Sequence, residues 1–199
     1  LLIALILMLL FSCAGKPEPR YRPRPTSSEL AARLGLSEDI DEEYRARMAI
    51  KEYKPAEIAV TDIHGRPATL EAYRGKVLLL NFFATWALPC QLEMQRLNEI
   101  YNEYKDKGLE VVGVAMDVQG ELMVPPFVDS VNINYRVYLA SGETGEGQTP
   151  YGKVETIPVT LLLDPRGHEI KGYIGPISRK KIEDDVRRAL AVHGGGKGR

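Results

Sequence analysis

The apolar run Val77-Leu78-Leu79-Leu80-Asn81-Phe82-Phe83 passes almost directly into Trp86-Ala87-Leu88-Pro89-Cys90, and this junction constrains the fold more than any other part of the chain. The run is long enough for a buried strand. Beyond it, Cys90, Met94, Leu97, Tyr101 and Tyr104 recur at three- and four-residue spacing, which predicts a helix over 88–106. A strand that turns at once into a helix puts the intervening residues at a helix N-terminus. A thiol exposed there is favoured as thiolate by the helix dipole and the free N–H groups.

The flanking sequence alternates strand and helix signals. Residues 57–61 and 66–69 read as a hairpin about the turn Asp62-Ile63-His64-Gly65, followed by a short turn or helix over 70–74. After a stop at Gly108 comes a strand over 109–115. A helix is expected over 120–131, opened by Pro125-Pro126. A strand over 135–140 precedes a Gly-rich loop from Ser141 to Gln148. Residues 156–163 form a strand led in by Pro158, Asp164-Pro165-Arg166-Gly167 is a turn signal, and 169–174 pairs back. Helix 178–192 carries Ile182, Val186, Ala189 and Leu190 on one face. This order argues for an α/β sandwich around a mixed sheet, with the first two long strands parallel because crossovers are right-handed.

At 199 residues, with 44% hydrophobic and 27% charged side chains, the chain holds one ordinary domain plus appendages. A net charge of −1 gives no nucleic-acid surface, so no nucleic-acid partner is expected. His64, His168 and His193 lie too far apart in sequence for a metal site, and neither a metal nor a cofactor is called for. Leu1 to Phe11 is apolar but shorter than the ~20 residues that span a bilayer. It runs into Ser12-Cys13, which resembles a bacterial lipobox cut before a lipid-bearing cysteine. The expected arrangement is therefore a signal segment at 1–12, N-terminally incomplete, and lipidation at Cys13. A Pro-rich tether spans 13–26, a helical extension 27–54, the folded domain 55–193 and a flexible tail 194–199. The alternative at the N-terminus is a plain signal peptide with Cys13 incidental. Either leaves the domain exported, with Cys90 its only internal thiol.

Three ordered pieces resemble the thioredoxin-like proteins of the TlpA/ResA group, exported and membrane-tethered thiol–disulfide oxidoreductases. They are Asn81 to Cys90, the insert around Pro125-Pro126-Phe127, and Thr156-Ile157-Pro158 followed by Asp164-Pro165-Arg166-Gly167. The resemblance covers residues 55 to 192. It implies a thioredoxin-like fold with an N-terminal hairpin and a central TlpA-type insert. It also implies a Cys-x-x-Cys pair at the helix start, whose first position is Ala87 here. In that layout the more N-terminal sulfur attacks and the deeper one resolves. Ala87 thus removes the attacker and leaves Cys90 in the resolver's place.

The resemblance further places an acidic proton-transfer group at Glu93 and a cis proline at Pro158, with the backbone of Ile157 pairing with an extended substrate segment. Trp86, Leu88 and Pro89 would complete that groove. Two readings compete at Cys90: a buried small apolar residue, or a single reactive thiol. At Glu93 a solvated helix carboxylate is the alternative, at Pro158 an edge-strand proline, and at Trp86 core packing. Three functions stay open. One is a tethered redox protein impaired in dithiol exchange, acting on extended segments of exported proteins or on a redox partner. The second is a non-catalytic peptide-binding module. The third, a single-thiol peroxidase, is disfavoured because peroxiredoxins carry Thr or Ser where Ala87 stands.

Overall fold

The computed structural model describes residues 53–193. The signal segment with Cys13, the tether, all but the last two residues of the 27–54 extension, and the 194–199 tail lie outside the described residues.

The long run Val77–Phe83 is strand β3, as its composition predicts. It is buried along its whole length because it sits inside the sheet with apolar layers on both faces. For brevity the strands are numbered β1 (Val60–Thr61), β2 (Pro67–Ala68), β3, β4 (Leu109–Ala115), β5 (Arg136–Ala140), β6 (Gln148–Thr149), β7 (Gly152–Lys153), β8 (Val159–Leu163) and β9 (Glu169–Ile174). The helices are α1 (Leu88–Tyr104), α2 (Gly120–Val131), α3 (Gly142–Gly145) and α4 (Arg179–His193). The main sheet runs β2-β1-β5-β4-β3-β8-β9, with β6 and β7 forming a separate two-stranded ribbon. β3, β4 and β5 are parallel, while β8 lies antiparallel to β3. The result is a mixed α/β sheet.

Pleating sorts the side chains of β3 between two layers. Val77, Leu79 and Phe83 join a core with Cys90, Met94 and Leu97 of α1, Val124 of α2, and Ile182 and Val186 of α4. Leu78, Leu80 and Phe82 face the other layer, closed by Ile58, Val60, Leu70 and Tyr73. By the same alternation Asn81 points toward α1. Its cross-strand partner on β8 is Thr160, also fully buried.

Several expectations need correction. Only Val60–Thr61 and Pro67–Ala68 pair in the first hairpin, because Lys54–Glu57 winds into a 3-10 turn with Pro55 in its first turn, which takes the first residue of the predicted strand. Pro125 and Pro126 do not open α2 but lie inside it. The helix starts at Gly120, and the prolines give up two intrahelical bonds while Val124 and Phe127 pack into the core. The strand predicted over 156–163 begins only at Val159. The Gly-rich loop contains α3, and β6 begins at its last residue.

Gly147 has φ +84°, and a Cβ there would lie 2.8 Å from the Val154 carbonyl oxygen. That carbonyl belongs to backbone, which cannot swing away, and Val154 N–H in turn donates to Gly147 O. Gly147→Ala is expected to lower unfolding stability by about 1–3 kcal/mol in urea titration.

At the opposite end of the sheet from the start of α1, the Asp164–Gly167 turn follows β8 beside the start of β3. Gly75 N–H donates to Pro165 O there. Tyr53 is buried against this turn: a methyl on Gly167 would meet Pro55 at 2.7 Å and the Tyr53 ring at 2.9 Å.

Candidate active site

The turn from β3 into α1 is held by its own backbone and by two side chains. Thr85 N–H and its hydroxyl both donate to Asp117, the hydroxyl at 2.6 Å, and Gln91 Nε2 donates to the Thr85 carbonyl at 2.8 Å. This fixes Trp86 and Ala87 at the mouth of the helix. Ala87 is the N-cap of α1, and Cys90 and Gln91 N–H groups both donate to its carbonyl. No side chain caps this helix end, so the dipole is directed at the space where a longer residue at position 87 would sit. Leu88 and Pro89 follow, exposed.

Cys90 lies one turn in, with no exposed surface. Burial pushes its thiol up from the ordinary range. A hydrogen bond from the Ala84 backbone opposes this, and the Glu93 and Asp117 carboxylates push the same way as burial. A thiol so placed is protonated and shielded, the reverse of an attacking sulfur. Of the two expectations for Cys90, the geometry matches the buried apolar one.

Glu93 is not a solvated helix carboxylate. It is wholly buried, with Oε1 accepting from Thr160 Oγ1 at 2.5 Å and Asn81 Nδ2 at 3.2 Å, and Oε2 accepting from Ile177 N–H at 3.1 Å. Asn81 also donates to Thr160 at 2.8 Å. Burial pushes the Glu93 carboxyl up, while the Thr160 and Ile177 hydrogen bonds and the charge of Arg96 hold it down. A carboxyl suspended between these influences can hold or release a proton inside the core.

The Ile157–Pro158 bond is cis, Pro158 is buried, and Ile157 packs against the core that contains Ala87 and Cys90. An open, largely apolar groove of about 410 Å³ runs beside the start of α1, lined by Leu88, Pro89, Leu92 and Arg96 on one side and Pro176, Ile177 and Ser178 on the other. Of the five residues expected to form a substrate groove, Leu88 and Pro89 line this one. Trp86 is 75% exposed and stands outside this lining, as do Ile157 and Pro158. The wall at 176–178 was missed because it lies more than 70 residues beyond the end of α1 and carries no motif.

The family model described as AhpC/TSA matches residues 52–171, which takes in the β3–α1 junction and the Pro158 segment. The chain belongs to the AhpC/TSA family. Among curated members, it is 32% identical over 129 residues to the thiol-disulfide oxidoreductase ResA of Bacillus thuringiensis subsp. konkukian, covering 65% of this chain and 72% of that protein. It is 31% identical over 140 residues to ResA of Oceanobacillus iheyensis, covering 70% of each. A solved structure from Chlorobium tepidum, described as a thiol:disulfide interchange protein DsbE, superposes with a TM-score of 0.58 at 27% identity, over 70% of this chain and 97% of that one. A second Chlorobium tepidum structure, of the thioredoxin family, gives a TM-score of 0.56 at 24% identity over 67% and 94%, and supports the fold alone. The fold is thus thioredoxin-like, and within the AhpC/TSA family the chain groups with proteins of the ResA/DsbE type.

Proposed function

We propose that this protein is an exported, membrane-tethered member of the ResA-type thiol–disulfide oxidoreductases that lacks autonomous dithiol exchange and receives extended polypeptide in the groove beside the start of α1. The observation that carries this reading is the state of Cys90. It is a protonated, fully buried thiol one helical turn below an alanine N-cap. Exchange needs an accessible thiolate to open a disulfide and a second thiol to release the product. One buried sulfur can fill only the second of these roles, so with alanine at position 87 the cycle has no thiolate to begin it. The groove flanked by Leu88, Pro89 and Pro176 supports retained contact with extended segments of exported proteins or with a redox partner, and lipid on Cys13 would supply the membrane attachment.

The peroxidase reading is disfavoured by the same geometry, because peroxide would have to reach a thiol with no exposed surface. The purified protein is expected to give no insulin reduction above the dithiothreitol background. Cys90 is expected to react with iodoacetamide at least about a hundredfold faster in denaturant than in buffer, since burial suppresses both access and thiolate. Sustained insulin reduction, or equal alkylation rates in the two states, would overturn the proposal.

A further inference from the structure

The Gly175–Ser178 loop between β9 and α4 has no helix or strand of its own, yet it forms the far wall of the groove. Its place is set at one residue. Ile177 N–H donates to Glu93 Oε2 at 3.1 Å, and Ile177 C=O accepts from Arg96 Nη1 at 3.0 Å. Glu93 and Arg96 are three residues apart, so one turn of α1 presents an acceptor and a charged donor to the two polar groups of the same residue. The Ile177 side chain, 7% exposed, seals the arrangement against the core that also contains Cys90. Gly175 N–H donates to Pro158 O at 2.8 Å, tying the other end of the loop to the cis-proline segment.

An irregular segment held by few contacts opens easily. A ligand that must order its own binding wall loses affinity by the cost of that ordering. We propose that Arg96 is a positioning residue for polypeptide recognition: by holding the Ile177 carbonyl while Glu93 holds its amide, it keeps the loop wall in place opposite Leu88 and Leu92. This rests on the reading above, that the groove receives extended polypeptide. Arg96 needs its whole length and its hydrogen-bond donors for this role. Methionine keeps the apolar stem and loses the donors, whereas lysine keeps a charged donor.

Two measurements on the otherwise unaltered protein test it. In amide hydrogen exchange, Arg96→Met should make Ile177 exchange about tenfold faster, the loss of one hydrogen bond to a charged group, with the β3 amides of Leu79 and Leu80 unchanged. Arg96→Lys should restore part of the protection, and the surface variant Arg187→Ala should leave it as it was. In fluorescence anisotropy, labelled carboxymethylated insulin B chain serves as an extended polypeptide probe. Its Kd should rise about tenfold in Arg96→Met. Unchanged Ile177 exchange, equal acceleration of every amide, or equal Kd values for the two proteins would overturn the assignment. Failure of the unaltered protein to bind the probe would refute the groove reading and the recognition role together, while Ile177 exchange would still report the loop contact by itself.

Discussion

Ala87→Cys is expected to convert the protein from inert to active in dithiothreitol-driven insulin reduction, the largest single effect the geometry implies. The introduced thiol would sit at the uncapped start of a 17-residue helix, where the dipole and free N–H groups favour the thiolate. Lowering a thiol from its ordinary ~8.5 into the range of helix N-termini raises the thiolate share near neutral pH roughly tenfold or more. The Glu93 and Asp117 carboxylates raise the Cys90 thiol and would moderate this at the neighbouring site. The introduced thiolate attacks a substrate disulfide, and one substrate sulfur leaves as a thiol. Cys90 then attacks the mixed disulfide, releasing the second thiol and leaving a bond between the two protein sulfurs that dithiothreitol reduces. One helical turn separates the positions by about 5 Å between Cα atoms, inside the span a disulfide tolerates. Insulin turbidity reads the turnover, and intact mass reads the two hydrogens lost on oxidation. If both stay silent, the proposed redox ancestry has no mechanistic basis in this chain.

The second large effect belongs to Glu93. Alanine there strands the Ile177 N–H in the core, empties part of the space beside Asn81, and should lower stability by about 2–4 kcal/mol. Glutamine should behave differently. Its carbonyl can accept from Ile177, and its amide can donate to the Thr160 hydroxyl, without placing charge in the core. The pH dependence follows from the raised carboxyl. The folded protein holds this proton more tightly than the unfolded chain, where glutamate ionises near 4.3. The resulting stabilisation is therefore complete below that pH and is lost as pH rises through the higher folded value. Urea titrations across this window should show Glu93→Gln gaining on the natural protein as pH increases, with other titrating groups cancelling in the comparison. A stability difference that stays flat with pH would show that Glu93 does not titrate there.

Much of the scaffold was legible because its signals are local. β3, β4 and β9 match their expected limits, since each is a defined run bounded by glycine or a turn pair, and α1 follows its apolar spacing. The prolines of α2 misled because proline's preference for a first helical turn reflects local backbone chemistry, while Val124 and Phe127 gain their contacts from a core built by residues distant in sequence. The site divides in the same way. Ala87, Cys90 and Glu93 share a helix and could be placed together by counting residues. The groups that define Glu93 could not: Asn81, Thr160 and Ile177 meet only because β3 pairs with β8 and the chain then returns beside α1. Arg96 carried no signal, since its partner is a backbone carbonyl that any residue supplies.

Tyr53, the first described residue, is buried beside the Asp164–Gly167 turn. It is separated from the first turn of α1 by the length of β3, about 20 Å at the usual rise of a strand. A contact made at the Asp164–Gly167 end would leave Leu88, Pro89 and Pro176 unobstructed, so the two ends of the sheet can engage different surfaces at once.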